Sequence, residues 1–173
     1  MRALDFWKAV VVDHSDLLER LTAGLAEHGV RYCVVGGQAV NAYVEPLVSL
    51  DLDLAVAPED VERLPVLFGD RFRIERFPYS LNLSAPGADL RVQFQLDPRY
   101  AAFVDRAEVR TVLGLPLPVA RIEDVLQGKV WAALDARRRS SKRQKDLADI
   151  ARLIEARPDL RANVPDDLLR RLI

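Results

Sequence analysis

From Asp89 to Leu96 the chain alternates without a break: Leu90, Val92, Phe94 and Leu96 are apolar, and Asp89, Arg91, Gln93 and Gln95 between them are polar. Only an extended strand sorts such residues onto two faces, so the fold must contain a sheet with one face in the core and one polar. The same pattern recurs upstream in Ser49-Leu50-Asp51-Leu52-Asp53-Leu54. There it buries three leucines together and leaves Asp51 and Asp53 projecting side by side. At about 4 Å and an effective dielectric of about 20, two such carboxylates repel by roughly 4 kcal/mol unless water screens them or a cation intervenes. A divalent metal is one resolution. A solvated acidic strand face gives the same alternation, and the neighbouring residues decide between the two.

With 173 residues, half of them hydrophobic, the chain is long enough for one domain with a proper core. Its 25 basic and 26 acidic residues give a net charge of -1, so attraction to a polyanion must come from local clustering. Cys33 is the only cysteine, which excludes an internal disulfide and a multi-thiolate zinc site, and its apolar neighbours predict a core position. His14 and His28 are the only histidines and both are far in sequence from the acidic pair, leaving little material for a histidine-metal site or a Ser-His-Asp triad. The N-terminal residues include Asp5, Lys8 and Asp13 and lack the long uncharged stretch of a signal peptide or membrane span, so a cytoplasmic protein without a membrane partner is expected.

Periodicity predicts helices over 4–12 and 15–28, the second with Leu17, Leu18, Leu21 and Leu25 as its apolar stripe, Asp13 or Ser15 as its cap and Gly29 at its end. A buried strand over 32–35 runs into Gly36-Gly37, and a short helix over 38–43 follows. Strand 51–57 then leads to a helix over 58–68 opened by Pro58, Glu59 and Asp60. Strands are expected over 72–77, 81–83 and 88–96, a helix over 99–105, and a β segment over 109–119 interrupted at Gly114 and Pro116. The remainder reads as helical. The expected class is α/β (α+β): a small mixed sheet flanked by helices in residues 1–120, with a helical part, 121–173, packed on it.

Glycines between a strand and a helix leave backbone N–H groups accessible to a phosphate. Asp51 and Asp53 could carry the cations such a phosphate needs. Asp89 would add a third carboxylate if its strand lay beside the pair, letting the acids hold two ions and activate a hydroxyl, with Asp89 also able to take the proton; a surface acid balanced by Arg91 is the alternative. In the C-terminal part Ile122, Val125, Leu126, Val130, Ala133 and Leu134 form a helical stripe, and Lys129 falls within it. Its ammonium either snorkels to solvent or reaches the cleft. Arg137 to Lys145 holds six cations in nine residues, which suits either an RNA backbone or a solvated helix start with Lys142-Asp146 and Lys145-Asp149 pairs.

Gly36-Gly37, the spacer, Asp51-Leu52-Asp53 and a later strand aspartate together resemble the signature of the nucleotidyltransferase superfamily with the polymerase-beta type fold. The segment Arg143-Gln144-Lys145-Asp146-Leu147-Ala148-Asp149-Ile150 resembles the R-x-K-D-x-x-D-I segment of its AbiEii-like branch. The resemblance implies an enzyme that moves a nucleoside monophosphate from an NTP, ATP among them, to a hydroxyl of an RNA such as tRNA, a protein or a small molecule. It implies Mg2+ or Mn2+ on Asp51, Asp53 and Asp89, phosphate contacts from Gly36, Gly37 and Gln38, and a nucleotide site completed by Lys129, Lys145 and Asp146. Gly37 and Gln38 stand where the family carries a serine, so backbone or amide contacts replace a hydroxyl. A toxin–antitoxin setting with a partner protein is among those implied. The rival expectation is a catalytically inert nucleotide- or RNA-binding module of the same fold.

Overall fold

A computed structural model describes residues 16–172. Its centre is a seven-stranded mixed sheet in the order β3-β4-β5-β2-β1-β7-β6, with β1 Tyr32–Val35, β2 Asp51–Val56, β3 Arg73–Phe77, β4 Ser80–Ser84, β5 Arg91–Gln95, β6 Glu108–Val112 and β7 Leu115–Val119. β2 runs antiparallel to β1 and parallel to β5, and hairpins β3–β4 and β6–β7 extend the two sides. The helices are α1 Leu17–Glu27, α2 Gly36–Asn41, α3 Leu64–Phe68, α4 Ala101–Asp105, α5 Ile122–Leu134, α6 Ser140–Ala156 and α7 Asp166–Leu169. The fold is the mixed α/β class expected. The helix predicted over 4–12 lies outside the described residues.

Most of the apolar residues read from the sequence make one continuous core; Leu50, just before β2, and Leu134, at the end of α5, are exposed instead, because each sits at the end of its element. Leu17, Leu18, Leu21 and Leu25 of α1 join Leu52, Leu54, Leu90, Val92 and Phe94, all essentially inaccessible, and Cys33 lies among them. Each fully buried leucine contributes about 1.5–3 kcal/mol relative to exposure. Gly24 permits the close fit of α1 on Phe68, whose ring would lie 2.7 Å from a β-carbon there.

Local chemistry explains where the elements depart from expectation. Residues 58–68 divide into a 3-10 turn, Pro58–Arg63, and a short α3, with Pro65 in the first turn of the second piece. The segment 109–119 is a tight hairpin rather than an interrupted strand, because Leu113 and Gly114 both take positive φ, 51° and 84°. Pairing of β7 with β1 is confined to Val34 opposite Val119, next to the hydrogen bond from Ala120 N to the Val34 carbonyl. Pro116 and Pro118 share the β1-facing backbone side with Ala120 and have no N–H to continue it.

α2 begins at Gly36 rather than Gln38, so the glycines form its first turn. The loop between α2 and β2 is fastened from both ends. Asn41 exchanges hydrogen bonds with the Leu47 backbone, donating at 2.7 Å and accepting at 3.0 Å, and Gln38 donates to the Ser49 carbonyl at 3.0 Å. From α6, Arg152 donates to the Glu45 carbonyl at 2.6 Å and to Asn41 Oδ1 at 3.2 Å. The loop thus delivers the chain to Asp51 from a fixed position.

Candidate active site

One side of the sheet opens into a cleft of about 890 Å³, walled opposite by α5, the start of α6 and the loop joining them. Asp51 and Asp53 face it from β2, as the alternation requires, and Gly36 closes its base. Gly36 has φ +66°, and a β-carbon there would sit 2.3 Å from Asp53 Oδ2. The glycine therefore provides both a left-handed turn and room for the carboxylate. Gly36→Ala is expected to push Asp53 aside, costing about 1–3 kcal/mol of stability together with at least a hundredfold of any transfer activity. Melting and turnover of the variant check this, and an alanine variant with wild-type turnover would contradict it. Gly37 is flanked by open space.

The two aspartates differ electrostatically. Asp51 Oδ1 is 2.9 Å from Arg91 Nε, and Asp51 Oδ2 is 3.6 Å from Lys142 Nζ. Asp53 has no such ion pair among the described residues. Burial raises its pKa, and Asp51 adds to that, against the lowering influence of Lys129, Arg138 and Lys142. The other acids lining the cleft are each matched: Glu75 with Arg73 at 2.6 Å, Asp97 with Arg99 at 2.7 Å, Asp124 with Arg106 at 2.7 Å, Asp135 with Arg137 at 3.3 Å and Asp146 with Arg138 at 2.8 Å. Asp53 is thus the one acid lining the cleft that has no direct ion pair among the described residues.

The third carboxylate is not where it was expected. Asp89 is exposed in the connection before β5 and does not line the cleft. Strand register places Arg91 opposite Asp51 and Gln93 opposite Asp53. Among the described residues no group of three or more His, Cys, Asp or Glu is arranged to hold a metal ion. The donor set present is the pair, which suits a single divalent cation whose remaining ligands come from phosphate and water.

Other expected contacts are also redistributed. Gln38 is buried and its amide holds the loop before β2, so it does not face the cleft. Lys129 is buried in α5 and lines the cleft, but its ammonium lies 3.1 Å from Asp146 and 2.7 Å from Asp149. Burial alone would lower the lysine pKa; Asp149 and Asp146 outweigh it and leave the pKa raised. Asp146 is accordingly an anchor for Lys129 and Arg138. Lys145 is exposed outside the cleft, and Lys142 takes the inward position. The helical period carried that signal: Lys142 is four residues before buried Asp146 and shares its face, whereas Lys145 is turned about 100° away.

Four of the six cations in the basic run are engaged within the protein: Arg137, Arg138 and Lys142 with carboxylates, and Arg143 with the carbonyls of Asp135 and Arg138. Arg139 and Lys145 remain at the surface.

This sheet order, with paired strand carboxylates beside a glycine turn, is that of the nucleotidyltransferase fold. Among solved structures the chain is similar to the antibiotic-resistance factor ANT(2'')-Ia, at 16% identity and TM-score 0.59 over 86% of this chain and 89% of that one. It is also similar to the lincosamide antibiotic adenylyltransferase LnuA, at 13% identity and TM-score 0.55 over 83% and 99%. An antigenic nucleotidyltransferase-like protein from Paracoccidioides brasiliensis shares 20% identity and TM-score 0.52 over 87% and 76%. No curated protein sequence matched. Residues 36–173 match the family described as "Nucleotidyl transferase AbiEii toxin, Type IV TA system", and the chain belongs to that family of nucleotidyltransferases. Among the described residues no helix is long and apolar enough to cross a membrane.

Proposed function

We propose that the cleft binds an NTP with one divalent cation, Mg2+ or Mn2+, and transfers its nucleoside monophosphate to an acceptor hydroxyl, releasing pyrophosphate. The observation that carries this reading is Asp53: a half-buried carboxylate set against Gly36, beside Asp51, with no ion-pair partner among the described residues. Asp51 and Asp53 would hold the metal, which when bound polarises the transferred phosphate and neutralises charge on it. Gly36 and Gly37 leave backbone accessible beside it. Arg91 and Lys142 balance the charge of Asp51. Once a divalent ion takes over that role, both side chains are available to the phosphates, as is Arg138. The phosphate roles expected of Gln38 and Lys145 pass to these residues, and Lys129 supports the site by anchoring α5 to α6.

The attack joins the acceptor oxygen to the α-phosphorus and breaks its bond to the bridging oxygen of pyrophosphate. The family description supports a toxin–antitoxin setting. The structural similarity to antibiotic adenylyltransferases makes a small-molecule acceptor a concrete candidate beside RNA and protein.

Titration with Mg2+ or Mn2+ and each NTP in turn tests the reading. At least one pair should raise the melting temperature by several degrees, since a ligand at about a hundred times its Kd stabilises by about 2.7 kcal/mol. The Asp51→Asn/Asp53→Asn double variant should show neither the metal-dependent part of that shift nor labelled transfer. Transfer that survives the double change would refute the metal assignment.

A further inference from the structure

The cleft extends well beyond the carboxylates, along the polar face of β5, β4 and β3. Register fixes a row across four strands: Asp53 lies opposite Gln93, Gln93 opposite Asn82, and Asn82 opposite Glu75. At about 4.8 Å per strand, the row reaches roughly 14 Å from the reacting centre. Gln95 lies two residues along β5, and Gln93, Asn82, Glu75 and Gln95 all line the cleft. At the far end Tyr79, in the β3–β4 turn, is 60% exposed and faces Arg137 of the opposite wall, whose guanidinium carbon lies 5.8 Å from the ring centre.

Within this row Asn82 Oδ1 is buried with no hydrogen-bond partner. An orphaned buried acceptor is uncommon in a folded protein, and the protein could have avoided it with an apolar residue. The carboxamides of Gln93 and Asn82 in the row, with Gln95 beside it, can each donate and accept, which matches hydroxyl groups, themselves donors and acceptors, better than it matches phosphates. Four of the six cations in the basic run are engaged within the protein, which leaves Arg139 and Lys145 as a sparse track for a nucleic-acid backbone. An exposed aromatic ring at the end of such a row offers a flat face for C–H groups.

The geometry points to an acceptor subsite along Gln93, Asn82 and Glu75 that takes a hydroxyl-rich small molecule of the sugar type, its reacting hydroxyl toward Asp53. The inference rests on the transferase reading for its consequence, and on the cleft alone for binding. Asn82 turns its under-bonded carboxamide to a ring hydroxyl, Gln93 sits between it and the metal pair, and Tyr79 covers the outer ring. An RNA acceptor is the outcome that would displace this assignment.

Saturation-transfer NMR on the nucleotide-free protein, with maltose, trehalose, glucosamine and kanamycin as probes, tests binding directly. At least one probe should show contact that falls about tenfold or more in Asn82→Leu and in Gln93→Leu. Asn82→Leu should melt at or above the wild-type temperature, because it removes an unsatisfied group; a purely structural asparagine would give a lower one. In transfer assays with labelled NTP, the KM for a sugar acceptor should rise at least tenfold in either variant, with the nucleotide KM moving less than twofold. Absence of contact with all four probes, contact undiminished in both variants, or label passing to total bacterial tRNA and to no sugar would overturn the proposal. The NMR arm needs no nucleotide, so its failure removes the subsite and leaves the transferase reading to the metal titration.

Discussion

Asp53→Asn will abolish nucleotidyl transfer and at the same time stabilise the metal-free protein. Loss of a carboxylate that holds the metal should lower turnover by about a thousandfold or more, some 4 kcal/mol in the barrier. Stability moves the other way because burial and Asp51 both disfavour the ionised form of Asp53, as its raised pKa records. At neutral pH the ionised carboxylate therefore works against the fold, and an amide of the same shape does not. The variant should therefore melt above wild type when no metal is present. Calorimetry in EDTA and in Mg2+ separates the two effects: wild type should gain from magnesium, and the variant should not. A lower melting temperature for the variant in EDTA would show that Asp53 is compensated by a contact the geometry does not reveal.

The second large effect concerns Lys129. Lys129→Met removes a buried cation and leaves Asp146 and Asp149, both inaccessible, without the partner they share. Breaking a buried pair in this way costs about 3–5 kcal/mol, which corresponds to a fall of about 10 °C in melting temperature. Asp146 keeps Arg138 at 2.8 Å and Asp149 keeps Arg152 at 2.8 Å, so the loss should fall at the lower end of that range. A lysine present only to meet phosphate would leave the melting temperature of the single variant unchanged. The pH dependence has a definite sign. The folded-state pKa is raised above 10.5, so the contribution of Lys129 is complete below 10.5 and is lost as pH climbs through the folded value. Alkaline titration should therefore erode the stability difference between wild type and Lys129→Met.

The parts of the site that the sequence discloses are those set by local period. Alternation alone put Asp51 and Asp53 on one face and Leu52 and Leu54 in the core, though not Leu50 ahead of the strand, and the glycine pair marked the turn beside them. The position of Asp89 depends on something else. Asp89, Arg91, Gln93 and Gln95 share a parity, so periodicity treats them alike; only the register of β5 on β2 decides that Arg91 and Gln93 stand beside the acids. Gln38 was similarly undetermined, since whether an amide near a glycine turn faces a ligand or its own loop depends on where Ser49 returns in space. Lys129 is the instructive intermediate. Its place in an apolar stripe correctly announced an inward lysine, and the two aspartates that receive it lie on the next helix, beyond the reach of any local pattern.

Arg152, near the end of α6, holds the loop that leads into Asp51. On a ribosome the strand carrying both acids emerges long before that arginine does. The nascent chain therefore exposes its reactive pair about a hundred residues before the clamp that positions it, so the strand can be made and paired well before the loop leading into it is fixed.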